Sequence, residues 1–119
     1  MTTSDRFAPF DVIIVPFPYS DRLAEKRRPA LVVSDASLLR FGVLWLAMIT
    51  SAENAPWSCD VPIADLSAAG LPAPSVVRPA KIACIEPGRV VRRAGALDLS
   101  TARRVARQTH QFLAKAKRP

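Results

Sequence analysis

Followed for its apolar and polar positions, the chain breaks into short hydrophobic runs separated by prolines and charged turns. The first run, Asp11 to Phe17, holds Val-Ile-Ile-Val without alternation. That is the pattern of a strand buried on both faces, and Pro16 and Pro18 end it. A polar stretch over 18–28 leads to a second strand, Ala30 to Val33, after which Ser34 or Asp35 can cap a helical turn through Leu39. Val43 to Thr50 predicts a third strand with Trp45 in the core, and Cys59 to Ile63 a short fourth. Gly70, Pro72 and Pro74 make Asp65 to Pro74 a stiff crossover. Ser75 to Ile85 predicts a strand pair or one bent strand, because Pro79 has no N–H to give a central ladder and demands an edge or a bulge. Glu86-Pro87-Gly88 turns the chain, and Val90 to Leu97 can add a last strand.

At the C-terminus the period changes. Ala102, Val105, Ala106, Thr109, Phe112, Leu113 and Ala116 recur at spacings of three and four, which predicts an amphipathic helix capped by Ser100 and packed across the sheet. Short strands with one such helix make a small barrel-like α+β domain, and 119 residues are enough for one core, so 1–119 is expected to be a single domain.

Composition narrows the picture. No apolar run approaches the roughly 18 residues needed to span a bilayer, and the Met1 to Pro9 segment lacks a signal-peptide core, so a cytoplasmic protein without membrane contact is expected. Cys59 and Cys84 are too few for a disulfide scaffold and are expected to be small buried residues. No histidine or cysteine cluster has metal spacing, and no cofactor is expected. The net charge of +7 is unevenly placed: 6 Lys/Arg stand against 8 Asp/Glu up to Val77, and 11 against 2 from Arg78 onward. Such a field attracts nucleic acid or an acidic protein.

The candidate chemistry gathers around the first two strands. Lys26, Arg27 and Arg28 close the polar loop, and Arg28 precedes Pro29, whose ring pushes the arginine backbone into the extended region. A guanidinium held this way beside two more cations suits an anionic ligand. Phe17 and Tyr19, at the same loop, can stack on unpaired bases. His110 lies on the terminal helix far from these residues and is expected to be structural.

An apolar strand ending in Val15-Pro16-Phe17, a variable loop, and then Arg28-Pro29-Ala30-Leu31-Val32-Val33-Ser34 resembles the MazF/PemK family of toxin endoribonucleases. Met48-Ile49-Thr50-Ser51 and Ser75-Val76-Val77-Arg78, leading into Lys81-Ile82-Ala83-Cys84-Ile85, are similar to later segments of that family. The resemblance implies an SH3-like β-barrel of about five to seven strands with helices, normally a homodimer. It implies a type II toxin that cleaves single-stranded mRNA without a metal, giving a 2′,3′-cyclic phosphate and a 5′-OH, and an acidic antitoxin as partner. By the same resemblance Arg28 would clamp the phosphate and Thr50 would donate to a phosphoryl oxygen, with Arg78 as the second catalytic arginine. Lys26, Arg27, Ser51, Phe17, Tyr19, Ser75 and Lys81 would hold substrate.

The chain departs from the wider family at one point, Phe10, and from Kid-like members at two. Ala80 stands where they carry an aspartate, the loop before Arg28 has no histidine and offers only Asp21 and Glu25 as carboxylates, and Phe10 replaces a frequent glycine. Two other functions fit the same residues: a non-enzymatic toxin of the same barrel that binds a topoisomerase, as CcdB-like toxins do, or a basic module that holds RNA without cutting it.

Overall fold

The computed structural model describes residues 7–17 and 26–116, with the Phe17 side chain left out. Among these, six strands form one antiparallel sheet curled into a half-barrel: β1 (Asp11–Phe17), β2 (Lys26–Val32), β3 (Leu44–Ser51), β4 (Val61–Pro62), β5 (Ser75–Ile85) and β6 (Arg92–Ala96). The spatial order is β4-β5-β3-β2-β1-β6. A short helix α1 (Leu66–Ala69) and a longer α2 (Leu99–Gln111) complete the α+β fold, with 3-10 turns at Ala36–Phe41 and Pro87–Arg89.

β1 is buried on both faces, as its unbroken apolar run requires. Val12 joins a cluster with Leu31, Ala47, Ile49 and Val77 that α1 and α2 cover through Ala69, Ala102 and Val105. Ile13 and Val15 join Ala30, Val32, Leu46 and Met48 on the opposite face. Alternate residues of each strand therefore serve different clusters, and a one-residue slip would exchange them.

Several boundaries differ from expectation. β2 begins at Lys26 because the ladder with β1 runs on through Val15–Arg28, Pro16–Arg27 and Phe17–Lys26, so the three cations lie in a strand rather than a loop. β4 is only two residues long, since Asp60 is tied into a turn by its N–H to the Trp57 carbonyl at 3.0 Å. The crossover contains α1, whose N-cap Asp65 accepts from Ala68 N at 3.0 Å and whose C-cap Gly70 is left-handed. Four residues are too few for a periodicity to show. β5 is one strand, and between the pairs Ala47–Ile82 and Met48–Arg78 it carries Pro79, Ala80 and Lys81 unmatched on β3. Pro79 thus sits in a bulge, where its missing N–H breaks no ladder bond.

Asp98, not Ser100, caps α2: its carboxylate accepts from Thr101 N at 3.0 Å and from the Thr101 hydroxyl, and it also accepts from Asp65 N, tying α2 to α1. Only the first half of the expected apolar face is covered. Ala102 and Val105 are buried, while Phe112 and Leu113 project beyond the helix end and are 53% and 58% exposed. Trp45, expected in the core, is exposed on the same side of β3 as Ala47 and Ile49, past the part that α2 covers, and Cys84 opposite it is exposed too, whereas Cys59 is buried.

Two close approaches pin α1 to the edge strand. A Cβ on Gly70 would lie 2.1 Å from the Ala94 carbonyl oxygen, and one on Gly95 would lie 2.2 Å from that of Ala68. Only glycine fits at either position. Phe10 explains the family preference noted above. Its φ of 69° is left-handed, a conformation that costs a side-chain-bearing residue about 1–2 kcal/mol. The chain holds it there by the bonds Phe10 N to Val32 O and Leu97 N to Phe10 O.

Candidate active site

The register of three strands decides where the candidate residues meet. β2 pairs with β3 through Ala30–Met48, and continuing that register by two residues brings Arg28 beside Thr50. β3 pairs with β5 through Met48–Arg78 and Thr50–Val76. Because side chains alternate with period two, Arg28, Thr50 and Arg78 all project from one face, above the buried Ala30 and Met48.

Arg28 and Thr50 share a cleft of about 280 Å³ with Ser51, Asn54 and Ser75, walled on one side by the 71–74 segment. Arg28 is half-buried, so part of its guanidinium lies in a setting where a charge acts more strongly than in bulk water. Three hydroxyls stand near it, each oriented by a local bond. Thr50 Oγ1 accepts from Asn54 Nδ2, Ser51 Oγ accepts from Glu53 N at 3.1 Å, and Ser75 Oγ donates to the Ala73 carbonyl at 2.9 Å. A half-buried cation and several hydroxyls in one concavity are the parts needed to hold a phosphodiester and to stabilise charge on its oxygens.

Arg78 is on the same face but does not line this cleft. Its Nε and Nη2 donate to Asp60 Oδ1 and Oδ2, both at 2.9 Å, and Nη2 also donates to the Ala55 carbonyl at 3.0 Å. The Trp57 ring lies over the guanidinium at 4.4 Å. The hydrogen bond from Arg78 holds the Asp60 carboxyl below the ordinary carboxylate range, and the same bond raises the arginine further.

Lys26 and Arg27 are exposed at the start of β2, and Lys81 is exposed in the β5 bulge. None of the three lines the cleft. Phe17 ends β1 opposite Lys26; Tyr19, Asp21 and Glu25 lie outside the described residues. The basic surplus of the C-terminal part does not line the cleft either: Arg103, Arg104 and Arg107 are exposed on α2. His110 is exposed on the same helix. Among the described residues no group of histidine, cysteine and carboxylate side chains could hold a metal, and no helix is long and apolar enough to cross a membrane.

Sequence reasoning passed over Asn54 and Trp57, which lie in a polar stretch with no periodicity; the available signal was that this stretch directly follows Thr50. Asp60, like Asp65, was a carboxylate that the sequence offered as a partner for Arg78, and it is the one that pairs. A second cavity, about 630 Å³ and apolar, lies between β3, β5 and the end of α2, lined by Trp45, Ile82, Cys84, Phe112 and Leu113 among others.

Residues 8–113 match the sequence profile of the PemK-like, MazF-like toxins of type II toxin–antitoxin systems. No curated protein matches the sequence. The fold is similar to the Mycobacterium tuberculosis toxin MazF-mt6, with TM-score 0.67 and 22% identity over 85% of this chain and 93% of that one. It is also similar to a chain of the MazE–MazF structure from Deinococcus radiodurans, with TM-score 0.71 and 16% identity over 89% and 94% of the two chains. A third likeness is to a mycobacterial endoribonuclease in complex with its cognate antitoxin, with TM-score 0.67 and 14% identity over 88% and 90%.

Proposed function

Because this chain belongs to the PemK-like, MazF-like family of type II toxins, we propose that its single domain, 1–119, is a metal-independent endoribonuclease cutting single-stranded mRNA in the cytoplasm. One observation carries the reading: Arg28 and Thr50 meet in one cleft with two further hydroxyls. In the reaction the ribose 2′-OH gives up its proton and its oxygen attacks the adjacent phosphorus, while the bond to the 5′-oxygen breaks and that oxygen takes up a proton from solvent. The products are a 2′,3′-cyclic phosphate and a 5′-OH. Negative charge gathers on the two non-bridging oxygens as the attack proceeds. Arg28 clamps them with parallel N–H donors, and Thr50 donates its hydroxyl to one of them. Ser51 and Ser75 orient the neighbouring nucleotide, and Lys26, Arg27 and Lys81 attract the flanking phosphates from outside the cleft, with Phe17 and Tyr19 stacking on bases.

An acidic antitoxin segment is the second partner. A toxin partner that covers the strand carrying Lys26, Arg27 and Arg28 would compete with RNA for the same cations. A second copy of the chain is the third. Trp45 and Ile82 are 44% and 46% exposed beside Phe112 and Leu113, an apolar surface of the kind that marks an interface.

The test is incubation with a mixed-sequence transcript in EDTA, followed by the mapped site carrying one 2′-deoxyribose. Cleavage that this single substitution and Arg28→Ala both abolish is the expected result. Binding without cut products at high protein excess, or cutting of all-DNA strands, would overturn it.

A further inference from the structure

We propose that Asn54 is a positioning residue for the Thr50 hydroxyl, and that Arg78 with Asp60 and Trp57 is the clasp holding its loop over the cleft. This rests on the endoribonuclease reading above and changes the part Arg78 plays in it.

A threonine hydroxyl has one proton and two acceptor sites. Asn54 Nδ2 donates to one of those sites, so the proton is left to point elsewhere. Thr50, Asn54 and Arg28 line one cleft, so the proton that the amide does not engage can turn to a phosphoryl oxygen seated there. Asn54 therefore sets Thr50 as a donor before substrate arrives, which removes the cost of reorienting it during the reaction.

Asn54 itself is exposed, within the run of exposed residues 51–58 that leads from β3 toward β4. Near β3 the loop is held by Asn54 N to Ser51 O at 3.1 Å and Ala52 N to Pro74 O at 3.0 Å. Its far side is held by Arg78. The guanidinium grips the carbonyl of Ala55, the residue directly after Asn54, and both oxygens of Asp60. Asp60 Oδ2 in turn accepts from Trp57 N at 2.9 Å, and the Trp57 ring covers the guanidinium. Arg78 and Asp60 side chains are only 11% and 9% exposed. A guanidinium engaged by a bidentate carboxylate, a carbonyl and a ring acts on the cleft through the loop it holds.

The rival possibility, that phosphate displaces Asp60 and takes Arg78 directly, makes the opposite prediction for one variant. Cleavage is measured on an RNA oligonucleotide carrying the mapped cut site. Asn54→Ala should lower kcat about tenfold, the worth of one oriented hydrogen bond, with KM within about twofold. Asp60→Asn should lower kcat to a similar degree, and in the Asn54→Ala background it should add less than about twofold, since both act on one hydroxyl. Arg78→Lys, which keeps the charge and loses the fork, should behave like Asp60→Asn. An Asp60→Asn enzyme as fast as the wild type or faster would overturn the clasp, and an unchanged Asn54→Ala would overturn the positioning role. Amide exchange supplies a readout apart from catalysis: the 54–60 amides should exchange faster in Asp60→Asn, at a temperature well below melting where the β-strand amides stay protected. If the wild type cuts no RNA the endoribonuclease reading falls, while unchanged exchange in Asp60→Asn sinks the clasp whatever the activity.

Discussion

The two ends of the β3–β5 pair are built from the same ladder and present opposite surfaces. At the Thr50–Ser51 end the cleft is small, and its side chains are oriented by bonds to Asn54, Glu53 N and Ala73 O. At the Trp45–Cys84 end, beyond the Pro79 bulge, the cavity is more than twice as large and offers indole, aliphatic and phenyl surface with no charged side chain. Size alone would point to the wrong one. An anion needs a cation and donors already aimed, which only the smaller cavity has, and the larger one suits burial against another apolar surface.

The strongest way to break this contrast is to exchange charges between the ends. Arg28→Ala should slow RNA cleavage by a factor on the order of 10²–10³, the usual loss for one donor to a developing oxyanion. Leu113→Asp should cost far less cleavage but, if the proposed pairing of two copies holds, should leave a species near 13.0 kDa by light scattering where the wild type is twice that mass. If the two variants lost activity equally, the ends would be one functional unit.

A smaller effect is expected at the clasp, which lies between the two. Arg78→Gln leaves the half-buried Asp60 carboxylate with Trp57 N but without its cation, and should lower unfolding free energy by about 1–3 kcal/mol in urea. The double change Arg78→Gln with Asp60→Asn should recover part of that loss. Recovery tells a destabilised carboxylate from a general loosening of β5.

The mildest test is pH. Arg78 lowers the Asp60 carboxyl, so the folded state binds its proton less readily than the unfolded state does. The stability it contributes is complete above the ordinary carboxylate value of 3.8 and is lost as pH falls through the lower folded value. Asp60→Asn should therefore flatten the acid limb of the stability profile below about pH 4. An unchanged limb would mean that the pair does not hold in solution.

Much of the fold was legible because it rests on local rules. β1 announced its double burial by an unbroken Val-Ile-Ile-Val, and Pro79 announced an edge or a bulge by lacking an N–H, of which the structure has the bulge. α1 escaped notice because four residues carry no period, although Asp65 and Gly70 bracket it as caps. Trp45 was misjudged for a different reason. An apolar residue in a strand shows that one side of the strand is apolar, and only the path of α2 decides whether that side is covered. For the candidate site, Arg28 and Thr50 were legible as residues, while their adjacency depends on the β2–β3 register. Asn54 was not legible at all, since its contact with Thr50 depends on how one irregular loop folds back, while Asp60 was legible only as one of two carboxylates, with Asp65, that could pair with Arg78.

The seam between α1 and β6 has a consequence for how this chain tolerates change. Gly70 and Gly95 touch the opposite backbone with no room for a methyl group, and the segment leaving Gly70 becomes the cleft wall at Leu71 to Pro74. Replacing either glycine by alanine would shift that wall outward without touching a cation or a hydroxyl. A survey of variants guided only by polarity would overlook two uncharged, side-chain-free positions that set the width of the groove.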